Sequence, residues 1–277
     1  MNPQETGGRT KLEFLLHAKS SSSRTRHLEP CQELDQQPER GAYPMTDTLI
    51  DPQTSLADIV TEYPDTVSVF LKNDLDFCCG GKQTLAEACK NAGINEPELI
   101  KQLNALVEPF RRDTLSWAER PLNELIDHIV TQYHEPLRNT LPTLILLAER
   151  VERAHGPTQG QRLTELRKIS EKLETDMLKH LKDEEERLFR MILNGDGASI
   201  PETLDQLVAD HEEVGEMLAR IRVLTDEYRL PEDACVTWRT FWRSLETLER
   251  ETKQHVHLEN NVLFPRALHT LSDANAA

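Results

Sequence analysis

The chain has 277 residues, with 32 Lys+Arg against 48 Asp+Glu, and a formal net charge of −16. Such an acidic surface repels phosphate backbones and argues against nucleic-acid binding. No apolar run reaches the roughly 18 residues of a bilayer span, in keeping with a mean hydropathy of −0.57.

In chain order, residues 1–45 read as a disordered tail or a non-native N-terminal extension. They contain Ser20–Ser23, scattered Gln and Pro, and no sustained apolar period. Through residue 44 the acidic and basic residues cancel, and patterned sequence begins just after Met45, so Met45 is a candidate start. The apolar stretch Leu12–Leu16 is too short for a secretory signal, which leaves a cytoplasmic location as the expectation. Five cysteines (Cys31, Cys78, Cys79, Cys89, Cys235), an odd number, read as reduced thiols.

Residues 46–110 read as a small helical domain. Leu56, Ile59 and Val60 mark a first short helix, and Val67, Phe70 and Leu71 a second. Asp76-Phe-Cys-Cys-Gly-Gly is a turn, since paired glycines admit backbone angles that other residues avoid. Thr84 opens a third helix and Asn95-Glu-Pro-Glu a fourth. A unit this small has little core of its own and is expected to lean on the larger C-terminal domain. Residues 111–120 read as a linker.

Residues 121–271 carry four long amphipathic patterns, ahead of a short tail at 272–277. They run from about Pro121 to Arg153, Leu163 to Asn194, Thr203 to Tyr228 and Pro231 to Leu271. Pro136 and Pro142 should each kink the first or shift its register. No segment alternates with period two. The fold class is therefore all-α, an antiparallel four-helix bundle preceded by a small helical N-terminal domain.

The apolar stripe of each long helix is interrupted near its middle. The interruptions are His134 in the first, His180 and Glu184 in the second, His211 in the third, and His255 and Glu259 in the fourth. Steps of three, four or seven residues place them on the core-facing side. A lone histidine in such a place is usually a hydrogen-bonded core residue. Two carboxylates and four imidazoles facing one interior, with no Lys or Arg on the stripes, need a compensating cation. Nitrogen and carboxylate oxygen without thiolate suit iron or manganese. With two histidines per metal and both glutamates bridging, each metal holds two nitrogens and two oxygens. An oxo bridge makes five, leaving one open position per iron. His128, His155 (in a loop before Gly156-Pro157), His257, His17, His27 and His269 read as non-ligands. Cys89 and Cys235 read as small core residues. Cys78 and Cys79 are a second candidate site, a vicinal pair whose thiol pKa a following helix N-terminus would lower.

Two sets of residues resemble a known family. Asp76-Phe-Cys-Cys-Gly-Gly-Lys-Gln-Thr-Leu resembles the N-terminal cysteine motif of the iron–sulfur cluster repair di-iron proteins, the Repair of Iron Centres family (YtfE/ScdA type). Asp127-His-Ile-Val-Thr-Gln-Tyr-His, His180 with Glu184, Asp210-His-Glu, and His255-Val-His-Leu-Glu-Asn-Asn-Val-Leu-Phe-Pro resemble its hemerythrin-like domain. The resemblance implies a centre of two iron ions on the same six residues. It also implies a role for Cys78 and Cys79 as redox or transfer thiols, and a homodimer. The implied function is repair of clusters damaged by nitric oxide or peroxide, with damaged iron–sulfur proteins as partners. Two other functions fit a redox-active centre with open positions: a di-iron oxidoreductase reducing nitric oxide, and a sensor or carrier binding dioxygen or nitric oxide.

Overall fold

The computed structural model describes residues 50–107, 117–195 and 200–269. The N-terminal tail with Cys31, His17 and His27, residues 111–116 of the linker and the tail at 272–277 lie outside the described residues. Among the described residues there is no strand, only an isolated bridge between Ser55 and Thr84.

Four short helices come first: α1 (Leu56–Glu62), α2 (Val67–Lys72), α3 (Leu85–Ala92) and α4 (Glu96–Val107). The Ser55 hydroxyl accepts from Asp58 N–H at the start of α1. At α3 the Thr84 hydroxyl and the Glu87 carboxylate each accept the other's backbone N–H, satisfying two donors that a helix start leaves unpaired. Leu56, Ile59, Phe70, Phe77, Leu85, Leu99 and Leu103 fill a small core. Val256, from the last long helix, is part of that same core, so the small domain leans on the bundle as its size requires.

The bundle comes next. Its first rod is α5 (Leu122–Ile129), a π turn (Val130–His134) and α6 (Glu135–Gln159). The second is α7 (Gln161–Asp183), a π turn (Glu184–Leu188) and α8 (Phe189–Asn194). Then come α9 (Ile200–Leu224) and α10 (Val236–Leu258), the latter running into a third π turn (Glu259–Leu263). Cross-helix pairs show each neighbour antiparallel. Glu152 meets Arg167 while Arg138 meets Glu185. Glu165 meets Arg220 while His180 meets Asp210. Arg222 meets Glu249 while His211 meets Asn260.

Several sequence expectations change. Pro136 sits at the start of α6 directly after a π turn, so the break in register falls just before it. Pro142 does not end α6, because Leu141 and Leu144 on either side are held in the core. The expected loop at His155-Gly156-Pro157 is helical to Gln159, and the turn is made by Gly160 at φ +61. The His155 ring lies 4.6 Å from that of Trp238, which holds the extra turn down. Cys235 is exposed at the N-cap of α10 instead of in the core; Cys89 is buried as expected.

A third buried carboxylate, Glu249, was not foreseen from the stripes. It is 2 % exposed and lies among Arg222 (3.0 Å), Lys253 (3.0 Å) and the Tyr228 hydroxyl, which donates at 2.7 Å. Tyr228 reaches it from a left-handed stretch, with Asp226, Glu227 and Tyr228 at φ 52, 54 and 60. Burial works to raise the Glu249 pKa, but the Lys253 charge and the Tyr228 and Arg222 contacts outweigh it and hold the carboxyl below its usual range. A depressed carboxylate stabilises the fold above its ordinary pKa of about 4.3, and the contribution fades as pH falls below that.

Two outcomes are expected. Glu249→Gln lowers stability by about 1–3 kcal/mol at neutral pH by leaving cations unpaired, and denaturation at falling pH shows the gap to the parent closing below the ordinary carboxylate pKa. Gly81→Ala destabilises the small domain by about 1–3 kcal/mol. A Cβ there runs into the Phe77 carbonyl oxygen and comes 2.9 Å from the Ala57 Cβ. Thermal unfolding that leaves Tm unchanged would contradict this second expectation.

Candidate metal centre

The structure brings His134, His180, Glu184, His211, His255 and Glu259 together in the bundle interior, none more than 3 % exposed. His134 closes one π turn, while Glu184 and Glu259 each open another. A π turn inserts a residue into the helical count and re-aims the side chains at its ends, and such turns cluster at functional sites.

The donors form two groups that share both glutamates. His134, His255, Glu184 and Glu259 make one, and His180, His211, Glu184 and Glu259 the other. Glu184 Oε2 lies 3.5 Å from His134 Nε2, while its Oε1 lies 3.4 Å from His180 Nε2. Glu259 Oε1 lies 2.8 Å from His255 Nε2, while its Oε2 lies 3.3 Å from His211 Nε2. Each carboxylate thus turns one oxygen to each group.

The far side of three imidazoles is fixed. His134 Nδ1 is 2.7 Å from Glu185, which also accepts from Arg138 at 2.7 Å. His180 Nδ1 faces Asp210 at 3.4 Å, and His211 Nδ1 faces Asn260 Oδ1 at 2.9 Å. These acceptors hold the proton on Nδ1 and turn the Nε2 lone pairs inward, the arrangement of ligating histidines. His180 and His211 then face each other Nε2 to Nε2 at 2.9 Å. His134 and His255 are also 2.9 Å apart. Two nitrogens at right angles on metal bonds of about 2.0–2.1 Å stand about 2.9 Å apart. Both oxygens of Glu184, Glu259 Oε2 and His255 Nδ1 are buried without a hydrogen-bond partner among the described residues. Orphaned buried acceptors are rare in folded proteins and call for an ion or water. The donor set therefore fits a pair of cations.

Electrostatics point the same way. Burial lowers the affinity of His180 for a proton, but the Glu184 charge and the Asp210 and Glu184 contacts reverse this and carry its pKa up to about 10. At Glu259 burial is outweighed by the His255, His134 and His211 imidazoles around it, which hold it well below its usual value. The pocket is built to attract positive charge.

The other histidines have separate duties. His128 lies 4.2 Å from the Trp117 ring. His257, two residues from a site residue, is buried at the junction with the small domain. Its Nδ1 faces the Phe77 carbonyl at 3.3 Å and its Nε2 the Thr61 hydroxyl at 3.1 Å. Burial drops its pKa to about 4, so it is a neutral structural contact.

Cys78 and Cys79 occupy the expected turn, but the expected cause of thiol acidity is absent. Helix α3 begins only at Leu85, and its first donors are taken by Thr84 and Glu87. The turn is held instead by Asp76, whose carboxylate accepts from the N–H groups of Cys78 (3.1 Å), Cys79 (3.0 Å) and Gly80 (2.9 Å). The thiols act on each other: the Cys78–Cys79 hydrogen bond, with burial, pushes Cys78 well up, while the same bond brings Cys79 down. From the bundle, Asn261 donates to the Cys78 carbonyl at 2.9 Å. Sequence spacing could not show that Asn260 and Asn261, adjacent on one π turn, serve the two sites separately.

These features define a hemerythrin-like bundle: residues 125–267 match the hemerythrin HHE cation binding domain. Residues 52–107 match a domain of unknown function, DUF542. Over 218 residues the chain is 39 % identical to proteins named iron–sulfur cluster repair protein YtfE from Yersinia pseudotuberculosis serotype IB (strain PB1/+) and Yersinia pestis (strain Pestoides F). The match takes in 77 % of this chain and 96 % of each relative. The chain belongs to the YtfE family of iron–sulfur cluster repair proteins.

Proposed function

We propose that this protein binds two iron ions per chain through His134, His180, Glu184, His211, His255 and Glu259, and supplies iron to damaged iron–sulfur clusters. The observation that carries the reading is the pair of four-donor groups sharing Glu184 and Glu259. The name of the relatives supports the repair role. By the resemblance, the damage comes from nitric oxide or peroxide, and the protein acts as a cytoplasmic homodimer with thiols Cys78 and Cys79 taking part. The domains are read as residues 46–110 and 121–271.

Bound iron would supply redox chemistry and a releasable metal. The chain's own residues set the terms of its release. Glu185, Asp210 and Asn260 hold three imidazoles in ligating orientation. Burial keeps bulk water from the donors. With two nitrogens and two shared carboxylate oxygens offered to each ion, the protein's own donors would leave positions open at a bound iron.

Anaerobic preparation should give close to two irons per chain, as in other bundle-core di-iron sites, with an oxo-bridged absorption on oxidation. Glu184→Ala/Glu259→Ala should cost roughly tenfold or more in metal retention, and Asn260→Ala or Asp210→Ala about tenfold with the helical spectrum kept. In the functional assay, anaerobic iron-loaded protein restores the absorbance of an iron-depleted cluster protein while losing its own iron. Repair by the iron-free double variant at the parent's rate would sink the proposal.

A further inference from the structure

The cysteine turn holds a second set of metal-ligating atoms, outside the bundle centre. Asp76, Cys78 and Cys79 each offer one ligand atom within a single cluster. The two Sγ atoms are 3.9 Å apart, and Cys78 Sγ is 3.2 Å from Asp76 Oδ1. Two thiolates on one tetrahedral ion with bonds of about 2.3 Å stand about 3.8 Å apart. The thiol pair is therefore already at the spacing that a single ion requires. Three restraints fix it there: the Asp76 hydrogen bonds to the turn, the close approach of Gly81 to Phe77, and the Asn261 bond to the Cys78 carbonyl.

What lies in front of these atoms gives the cluster a purpose. Asp76, Cys78 and Cys79 line a cavity of about 470 Å³ whose wall also includes His211, Thr252 and Lys253. His211 belongs to the bundle donor set, so the cavity that the thiols line runs up against the bundle centre at one residue. The Thr252 hydroxyl is 1 % exposed and without a hydrogen-bond partner among the described residues. A buried orphan hydroxyl on a cavity wall marks a place for a water or hydrated ion. Gly215 lines the same cavity, and a Cβ there would meet open space.

We propose that Asp76, Cys78 and Cys79 form a second metal site, a dithiolate–carboxylate site for a divalent transition metal, where iron is staged as cargo on the cavity leading to His211. As a staging point it rests on the proposal that the bundle holds iron. Binding forms two S–metal bonds and one O–metal bond. Each thiol gives its proton to solvent, two per ion, and no oxidation state changes. Thiolate favours softer ions, while the carboxylate keeps Fe²⁺ within its range. The fourth position is left to water or to a donor arriving through the cavity.

The full chain, iron-loaded and anaerobic, is titrated with Cd²⁺ while the ultraviolet thiolate-to-cadmium band is followed. The bundle donors contain no sulfur, so only a cysteine site responds. One band saturating near one ion per chain, with two protons released, is expected. Cys79→Ser, at an exposed position, weakens binding roughly tenfold or more, as loss of even an outer-sphere partner can. Cys78→Ser does the same, and Cys89→Ser and Cys235→Ser leave the band unchanged. No band, or a band that survives Cys79→Ser at full affinity, overturns the site. The staging role is read separately, from the rate at which iron-free protein acquires Fe²⁺ at limiting concentration. Cys79→Ser should load severalfold more slowly to the same final occupancy, and equal rates overturn staging. Absence of a di-iron spectrum in the parent refutes the bundle reading alone, because the cadmium band is scored without it.

Discussion

Two glutamates and four histidines with their donor atoms aimed at one another inside a dry bundle are the constraint on which this structure depends. Glu184 and Glu259 are buried, and three of their four oxygens have no hydrogen-bond partner among the described residues. An uncompensated buried carboxylate costs several kcal/mol, and two beside each other cost more. Nothing on the bundle stripes offsets them. Where the bundle does bury another carboxylate, at Glu249, it supplies Arg222, Lys253 and the Tyr228 hydroxyl. The contrast separates a carboxylate kept for stability, on α10, from carboxylates kept for a ligand, one of them on the π turn that follows α10.

The three π turns meet that constraint. A regular helix could place His134, Glu184 and Glu259 on the core side, but each lies where a helix changes register. The turn at Glu259–Leu263 does the most. Its first residue joins the donor set, Asn260 orients His211, and Asn261 holds the Cys78 carbonyl. The small domain is thereby tied to the helix that carries His255 and Glu259. His257, with Val256 in the small core, completes the joint.

Sequence alone determined the helical class, the four small helices before the bundle and the six interrupting residues. Each was legible because helical period and capping chemistry act over three or four residues, a range the linear order records. Polar residues on an apolar stripe stand out without a structure, since burying them has a known cost. Tertiary structure decided what depends on distant partners. The His155 ring packs on Trp238, far along the chain, where a loop was expected. Glu249 escaped notice because its neutralising partners Arg222 and Tyr228 come from another helix and a left-handed turn. The directions in which Glu184 and Glu259 turn their oxygens, and a cavity lined by both Cys79 and His211, exist only once the helices are packed. The Glu184–His134 and Cys79–His211 relations cross about 50 and about 130 positions of chain, and no local pattern encodes which side chains will meet over such a span.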